Sequence, residues 1–202
     1  MTALFASRLP ITKIPAANWS RQYGPQRKLW IVLHAMQYHE KGDSAEWCGN
    51  FFAGRLSDGK GGFLPPPRSS ANFSIDSNSI VEHVATELVA WHAPGANQLG
   101  IGLEHAGFVR QTAAQWLDAY GKSMLSLSTR LCAELCEHFS IPCVYVDAAG
   151  LRSRQPGITT HEQCTKAWPE KGGTHTDPGP GFPLQWYVGE VRKHLNGASL
   201  EA

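Results

Sequence analysis

The chain has 202 residues, 42% of them hydrophobic, and a formal net charge of +1. That length suits one domain, residues 1–202, with its own buried core and no need of disulfide staples. The near balance of charge excludes a surface that holds nucleic acid or an anionic membrane through net charge.

Five cysteines is an odd number, so at least one thiol is expected to stay free. Cys132 and Cys136 stand four residues apart in an amphipathic segment, where burial as small apolar side chains is the usual fate. The opening segment MTALFASRLPITKIP has only short apolar runs and matches neither a secretory signal nor a membrane span. The expectation is synthesis in a reducing cytoplasm, with no insertion into a membrane.

The first structural signal in chain order is Leu29 to Leu33, a short run of bulky apolar residues that predicts a strand buried on both faces and carries His34 at its end. Ser44 with AEWCGNFFAG predicts a short, serine-capped helix closed near Gly54. The following loop, through LPPPRSS, is too rich in glycine and proline for regular structure. Asn72 to Asp76 and Ile80 to Ala85 flank a Ser-Asn-Ser turn and predict a hairpin, and Leu99 to Phe108 predicts a further strand that carries Glu104. His105 alternates with Glu104 and should face the other way.

From Thr112 the apolar period changes. Ala113, Trp116, Leu117, Tyr120, Met124, Leu127, Leu131, Leu135 and Phe139 predict one long helix lying on a sheet, ended by Pro142. Ile141 to Val146 predicts one more strand. Gly157 to His161 leads into a loop dense in glycine and proline up to Pro183. Leu184 to Leu195, with Trp186, Tyr187, Val191 and Leu195 on one face and Gly197 as a stop, predicts a closing helix. The fold class is α/β, a central mixed sheet flanked by helices.

Three distant segments each offer a metal-ligand type at a strand end or loop entry: WIVLHAMQ with His34, GITTHEQC with His161 and THTDPGPGFP with Asp177. A catalytic zinc takes about three such protein ligands and keeps one position open. The chain has nine histidines, and a single one at a strand end is more often a packed or hydrogen-bonded residue than a ligand. Cys164, three residues after His161, is a further ligand type, although Asp177 already completes a trio.

The ordered set WIVLHAMQ, SSANFSID, AWHAPGANQLGIGLEHAG, a long helix, GITTHEQC and THTDPGPGFP resembles the zinc-dependent type 2 N-acetylmuramoyl-L-alanine amidases. That family includes phage lysins and wall-recycling amidases and, more distantly, peptidoglycan recognition proteins. The resemblance covers roughly residues 28 to 190, and its most specific part is the Thr-Asp-Pro-Gly run.

The resemblance implies Zn²⁺ held by His34, His161 and Asp177. It also implies that Glu104 passes a proton to the leaving nitrogen, and that His175, where some members carry lysine, donates to the developing oxyanion. Asn72 stands where members often place a histidine, and Trp91 and His92 match a segment bordering the groove, which makes all three expected substrate contacts. The implied partner is peptidoglycan or a muropeptide, cut between N-acetylmuramic acid and L-alanine by a monomer, either a phage lysin or a recycling enzyme. The competing readings are a peptidoglycan-binding module without catalysis and a cysteine-dependent hydrolase using Cys48 or Cys164.

Overall fold

A computed structural model describes residues 4–24, 27–171 and 173–198; Met1 to Ala3 of the opening segment lie outside them. In chain order the strands are β1 (Thr12–Lys13), β2 (Ser20–Arg21), β3 (Trp30–Ala35), β4 (Phe73–Ile75), β5 (Ile80–Glu82), β6 (Leu88–Val89), β7 (Gly100–His105) and β8 (Gly157–Thr160). The helices are α1 (Ser44–Phe52), α2 (Ala113–Trp116), α3 (Ala119–Phe139), α4 (Ala148–Arg152), α5 (His161–Ala167) and α6 (Leu184–Ala198).

The main sheet runs β1-β5-β4-β7-β3-β8, while β2 and β6 pair with each other. β4, β7, β3 and β8 are mutually parallel and β5 is antiparallel to β4, so the sheet is mixed as expected. Among the described residues no helix is long and apolar enough to cross a membrane.

Alternation along the central strands feeds two layers. Ile31, Leu33, Ile101 and Leu103 join the core that also holds Met124, Leu131 and Leu135 of α3 and Tyr187 and Val191 of α6. Trp30 and Val32 point the other way, into a cluster with Leu151 of α4 and Cys164 and Ala167 of α5. Ile31, Leu33, Ile101 and Leu103 are completely buried, and each such side chain contributes about 1.5–3 kcal/mol relative to exposure. The same alternation fixes which face of the sheet receives His34 and Glu104, since both share parity with Trp30 and Val32 rather than with the α3 side.

The hairpin forms as its sequence indicates. Asp76 Oδ1 accepts from the Asn78 and Ser79 amides, which closes the turn between β4 and β5. Elsewhere the local chemistry differs from expectation. The helix predicted from Thr112 is two helices, because the Asp118 side chain accepts from Gly121 N–H and caps a new start at Ala119. Ser44 opens α1 without capping it: its hydroxyl donates to the His39 carbonyl, and Asp43 makes no side-chain cap.

Ile141 to Val146 is not a strand, since Pro142 lacks an amide and Asp147 turns the chain into α4; only Tyr145 bridges to Ile158. The segment after His161 is helix α5, capped by Thr160, and the glycine and proline density that suggested a loop begins only at Pro169. In α6 the buried face is Tyr187, Val188 and Val191, whereas Trp186 is exposed. All five cysteines are free.

The loop that carries Asp177 is pinned at two points. The Asp177 carbonyl accepts from Glu162 N–H at the start of α5, 3.0 Å away. Gly179, at φ +94°, lies so close to Val109 that a Cβ there would stand 2.1 Å from the Val109 carbonyl oxygen. Only glycine satisfies both the left-handed backbone and the close approach. Gly179→Ala is therefore expected to lower stability by about 1–3 kcal/mol, read as a drop in urea midpoint at unchanged slope. A midpoint equal to the parent's contradicts this packing.

A second expectation comes from His83, which is 4% exposed. Its ring lies 2.7 Å from Ser74 Oγ and 3.2 Å from the Ile14 carbonyl oxygen, and burial lowers its pKa to about 4. Between that value and the unfolded histidine value of about 6.5, the unfolded chain binds a proton that the native chain refuses. Stability is thus full above that window and falls with pH inside it, by up to about 3 kcal/mol. Urea titrations of the chelator-treated protein at several pH values between 7 and 4 are expected to show a shallower loss in His83→Gln than in the parent. Equal slopes sink the assignment.

Candidate metal centre

The register of the parallel strands brings the site together. His34 on β3 pairs with Glu104 on β7, and Leu33 pairs with Thr160 on β8, so that His161, the next residue, arrives beside His34. The rings of His34 and His161 lie 4.6 Å apart. Asp177 reaches both from its pinned loop: Oδ2 is 3.2 Å from His34 Nδ1 and Oδ1 is 3.1 Å from His161 Nδ1. One ligand atom from each of the three residues falls within 4.8 Å of the others, and all three residues are buried.

These separations fit a cation. In a tetrahedral zinc site with bonds of about 2.0–2.1 Å, neighbouring ligand atoms stand about 3.3–3.4 Å apart. Two imidazoles and a carboxylate are also a donor set that zinc accepts. The trio that the sequence picked out therefore converges with spacing suited to a shared ion.

The electrostatics of the cluster follow from burial and close charges. Burial works against ionisation of Asp177, but hydrogen bonds from His161, His175 and His34 outweigh it and hold the carboxyl far below the usual carboxylate range. Burial also opposes protonation of His34, yet Glu104 and Asp177 together raise its pKa. His161 falls to about 4, through burial and the neighbouring His34. Glu104, its side chain 14% exposed and 3.9 Å from His34 Nδ1, is pushed up to about 7, mainly by burial. A carboxyl that titrates near neutrality can both take and give a proton.

The remaining expected site residues are placed differently from one another. His175 is more than half exposed at the mouth, stacked on His161 at 4.1 Å with Nδ1 3.6 Å from Asp177. His92 is 7% exposed and its Nδ1 lies 3.0 Å from His34 Nε2. Trp91 borders the cleft, and its indole N–H donates to Ser20 Oγ. Asn72 does not join the site. It is fully buried, its Oδ1 accepts from Gly102 N–H and its Nδ2 donates to the Val84 carbonyl, so its amide braces β7 to the end of β5.

His105 faces away from Glu104 as alternation requires, with Nε2 at 2.6 Å from Ser128 Oγ on α3. Cys48 and Cys164 are both buried; burial pushes the Cys48 thiol well up and the Cys164 thiol to about 12, so neither offers a thiolate.

The cleft encloses about 430 Å³ and has walls the sequence reading passed over. Trp47 and Phe51 of α1 line it, and Tyr38, Trp47 and Phe51 form a parallel stack with centroids 3.7 and 5.6 Å apart. The signal was present in SAEWCGNFF: Ala45, Cys48 and Phe52 are buried, while Trp47 and Phe51, four residues apart, are respectively half-buried and exposed on the cleft side. Exposed Arg68, from the PPPRSS segment, also borders the cleft.

Comparison with known proteins identifies the fold and the family. The structure is similar to a Staphylococcus aureus hydrolase, AmiA, solved in complex with its ligand, at TM-score 0.66 and 14% identity over 96% of this chain and 87% of that one. It is similar to AmpD, solved as a selenomethionine derivative, at TM-score 0.64 and 18% identity over 90% and 94% of the two chains. It is also similar to LysCS, an endolysin amidase from Clostridium intestinale, at TM-score 0.56 and 14% identity over 91% and 95%. At such identities these likenesses establish a shared fold. No relative among curated protein sequences matches at a significant level. The family model described as N-acetylmuramoyl-L-alanine amidase matches residues 25–180, more than half of the chain, and the chain belongs to that family of enzymes.

Proposed function

We propose that the chain is a zinc-dependent hydrolase of the amide bond between N-acetylmuramic acid and L-alanine, acting on peptidoglycan or its muropeptide fragments in wall lysis or turnover. One observation carries the reading: His34, His161 and Asp177 converge beside the half-neutral carboxyl of Glu104 at the base of an open cleft. Those three residues would hold the ion, which when bound supplies Lewis acidity that activates water near neutral pH and polarises a carbonyl.

The other roles belong to the chain itself. Glu104 takes the proton of the attacking water and returns it to the leaving nitrogen, so that the amine departs neutral instead of as an anion. His175, at the mouth, donates a hydrogen bond to the carbonyl oxygen as that oxygen gains charge. The aromatic faces of Trp47 and Phe51 give the substrate a flat apolar wall along which it is oriented. Buried thiols with raised pKa values do not support the cysteine-dependent alternative.

Mass spectrometry of products from purified cell walls tests the reading. The expected product is a free L-alanine amine on the stem peptide, lost on chelation and restored by zinc, with no effect of thiol alkylation. Glu104→Gln is expected to lower kcat by about 10²–10⁴ while keeping the metal, and His175→Ala by about 10²–10³. Release that survives a chelator, or a Glu104→Gln variant with the parent's kcat, overturns the proposal.

A further inference from the structure

We infer that His92 is a positioning residue for the metal centre: it accepts the Nε2 proton of His34 and so holds the lone pair of His34 Nδ1 toward the ion. The inference rests on the reading of the cluster as a zinc site. It assigns His92 to support of a ligand and not to contact with substrate.

Three observations carry it. First, the two nitrogens of His34 are divided between two partners. Nδ1 faces Asp177 at 3.2 Å, while Nε2 faces His92 Nδ1 at 3.0 Å, with the rings near perpendicular at 83°. An imidazole that gives Nδ1 to a cation must carry its proton on Nε2, and only an acceptor can then stand opposite. His92 Nδ1 is that acceptor, which leaves the His92 proton on Nε2.

Second, the backbone of β7 is shaped around the His92 ring. A Cβ on Gly102 would lie 2.7 Å from His92 Cγ, and one on Gly100 would lie 3.2 Å from His92 Cε1. Glycine at these two strand positions gives the ring a seat that any side chain would fill. Third, the loop is fixed behind the ring: Asn97 Oδ1 accepts from the amides of both His92 and Ala93.

The result is a line of support from Asn97 through His92 to His34. His92 Nε2 is buried against the Gly100 backbone of β7, so the ring is anchored by His34, by that strand and by packing. Outer partners of this kind fix the tautomer and direction of a ligating imidazole, and their loss typically costs 10–100-fold in metal affinity.

The test is zinc affinity of the full chain, measured by competition with a chromophoric chelator, alongside the absorption spectrum of the cobalt(II) form. His92→Leu, which removes the acceptor, is expected to weaken zinc binding about 10–100-fold and to alter the cobalt bands. His92→Asn, whose Oδ1 can take the place of Nδ1, is expected to restore most of the affinity. Gly102→Ala, which displaces the ring, is expected to weaken binding in the same direction as His92→Leu.

A His92→Leu chain that binds zinc like the parent overturns the inference, and so does a His92→Asn chain as weak as His92→Leu. If His92→Leu does not fold, the other two variants decide: tight binding by His92→Asn with weaker binding by Gly102→Ala supports the inference, and any other pattern overturns it. A parent chain that takes up no zinc overturns both this inference and the proposed function, whereas a parent that binds zinc and is matched by His92→Leu overturns the inference alone.

Discussion

The site depends on strand register. Parallel pairing of β3 with β7 and with β8 sets His34 opposite Glu104 and Leu33 opposite Thr160, so that three candidate site residues from distant parts of the chain, His34, Glu104 and His161, reach the same end of the sheet. A slip of one residue in either pair would turn Glu104 or His161 toward the opposite layer. The register is held by burial on both faces, because Ile31 and Leu33 fill the α3 side while Trp30 and Val32 fill the α5 side. Core packing and site geometry are in this sense one constraint, since the residues that stabilise the sheet also aim its last positions.

The charges there are set by burial and by one another. Without a cation, Asp177 is held ionised by three imidazoles, and Glu104 keeps its proton up to about 7 because burial and the nearby Asp177 charge disfavour a second carboxylate, with His34 only partly offsetting them. A divalent ion among His34, His161 and Asp177 would shift this balance, lowering the Glu104 pKa and opposing protonation of the two imidazoles. The same low exposure that makes these carboxyls costly in isolation makes them responsive to a single added charge.

Much of this could be read from the sequence, for identifiable reasons. WIVLHAMQ, GITTHEQC and THTDPGPGFP each announce themselves through an apolar run or a breaker cluster ending in a ligand type, and all three arrive at the site. What was not legible depends on contacts between segments. Asn72 looked like a groove residue because of its segment, but its amide is consumed by Gly102 and Val84, a fact fixed only when β7 lies beside it. The break between α2 and α3 turns on one capping bond from Asp118, which periodicity over Thr112 to Phe139 cannot register. The part played by α1 was also hidden, since Trp47 and Phe51 are as apolar as core residues and only the folded helix shows them less buried than Ala45, Cys48 and Phe52.

Successive residues of β7 serve opposite layers, and this explains how the candidate site is tied to the helical side. The His34 carbonyl can only accept, so the facing His105 Nδ1, 2.9 Å away, carries the proton and leaves Nε2 to accept from Ser128 at 2.6 Å. Ser128, having donated there, has only lone pairs for the Tyr187 hydroxyl of α6, which lies 2.7 Å from its Oγ and 3.2 Å from its carbonyl oxygen. Burial keeps His105 neutral, with a pKa of about 4, which is the state this directionality requires. The backbone of His34 is thus gripped from α3 and α6 through His105, while its side chain is gripped from the loop before β7 through His92. A side chain held at both its carbonyl and its ring has little freedom to turn, so the orientation that the proposed metal site asks of His34 is set by two neighbouring elements.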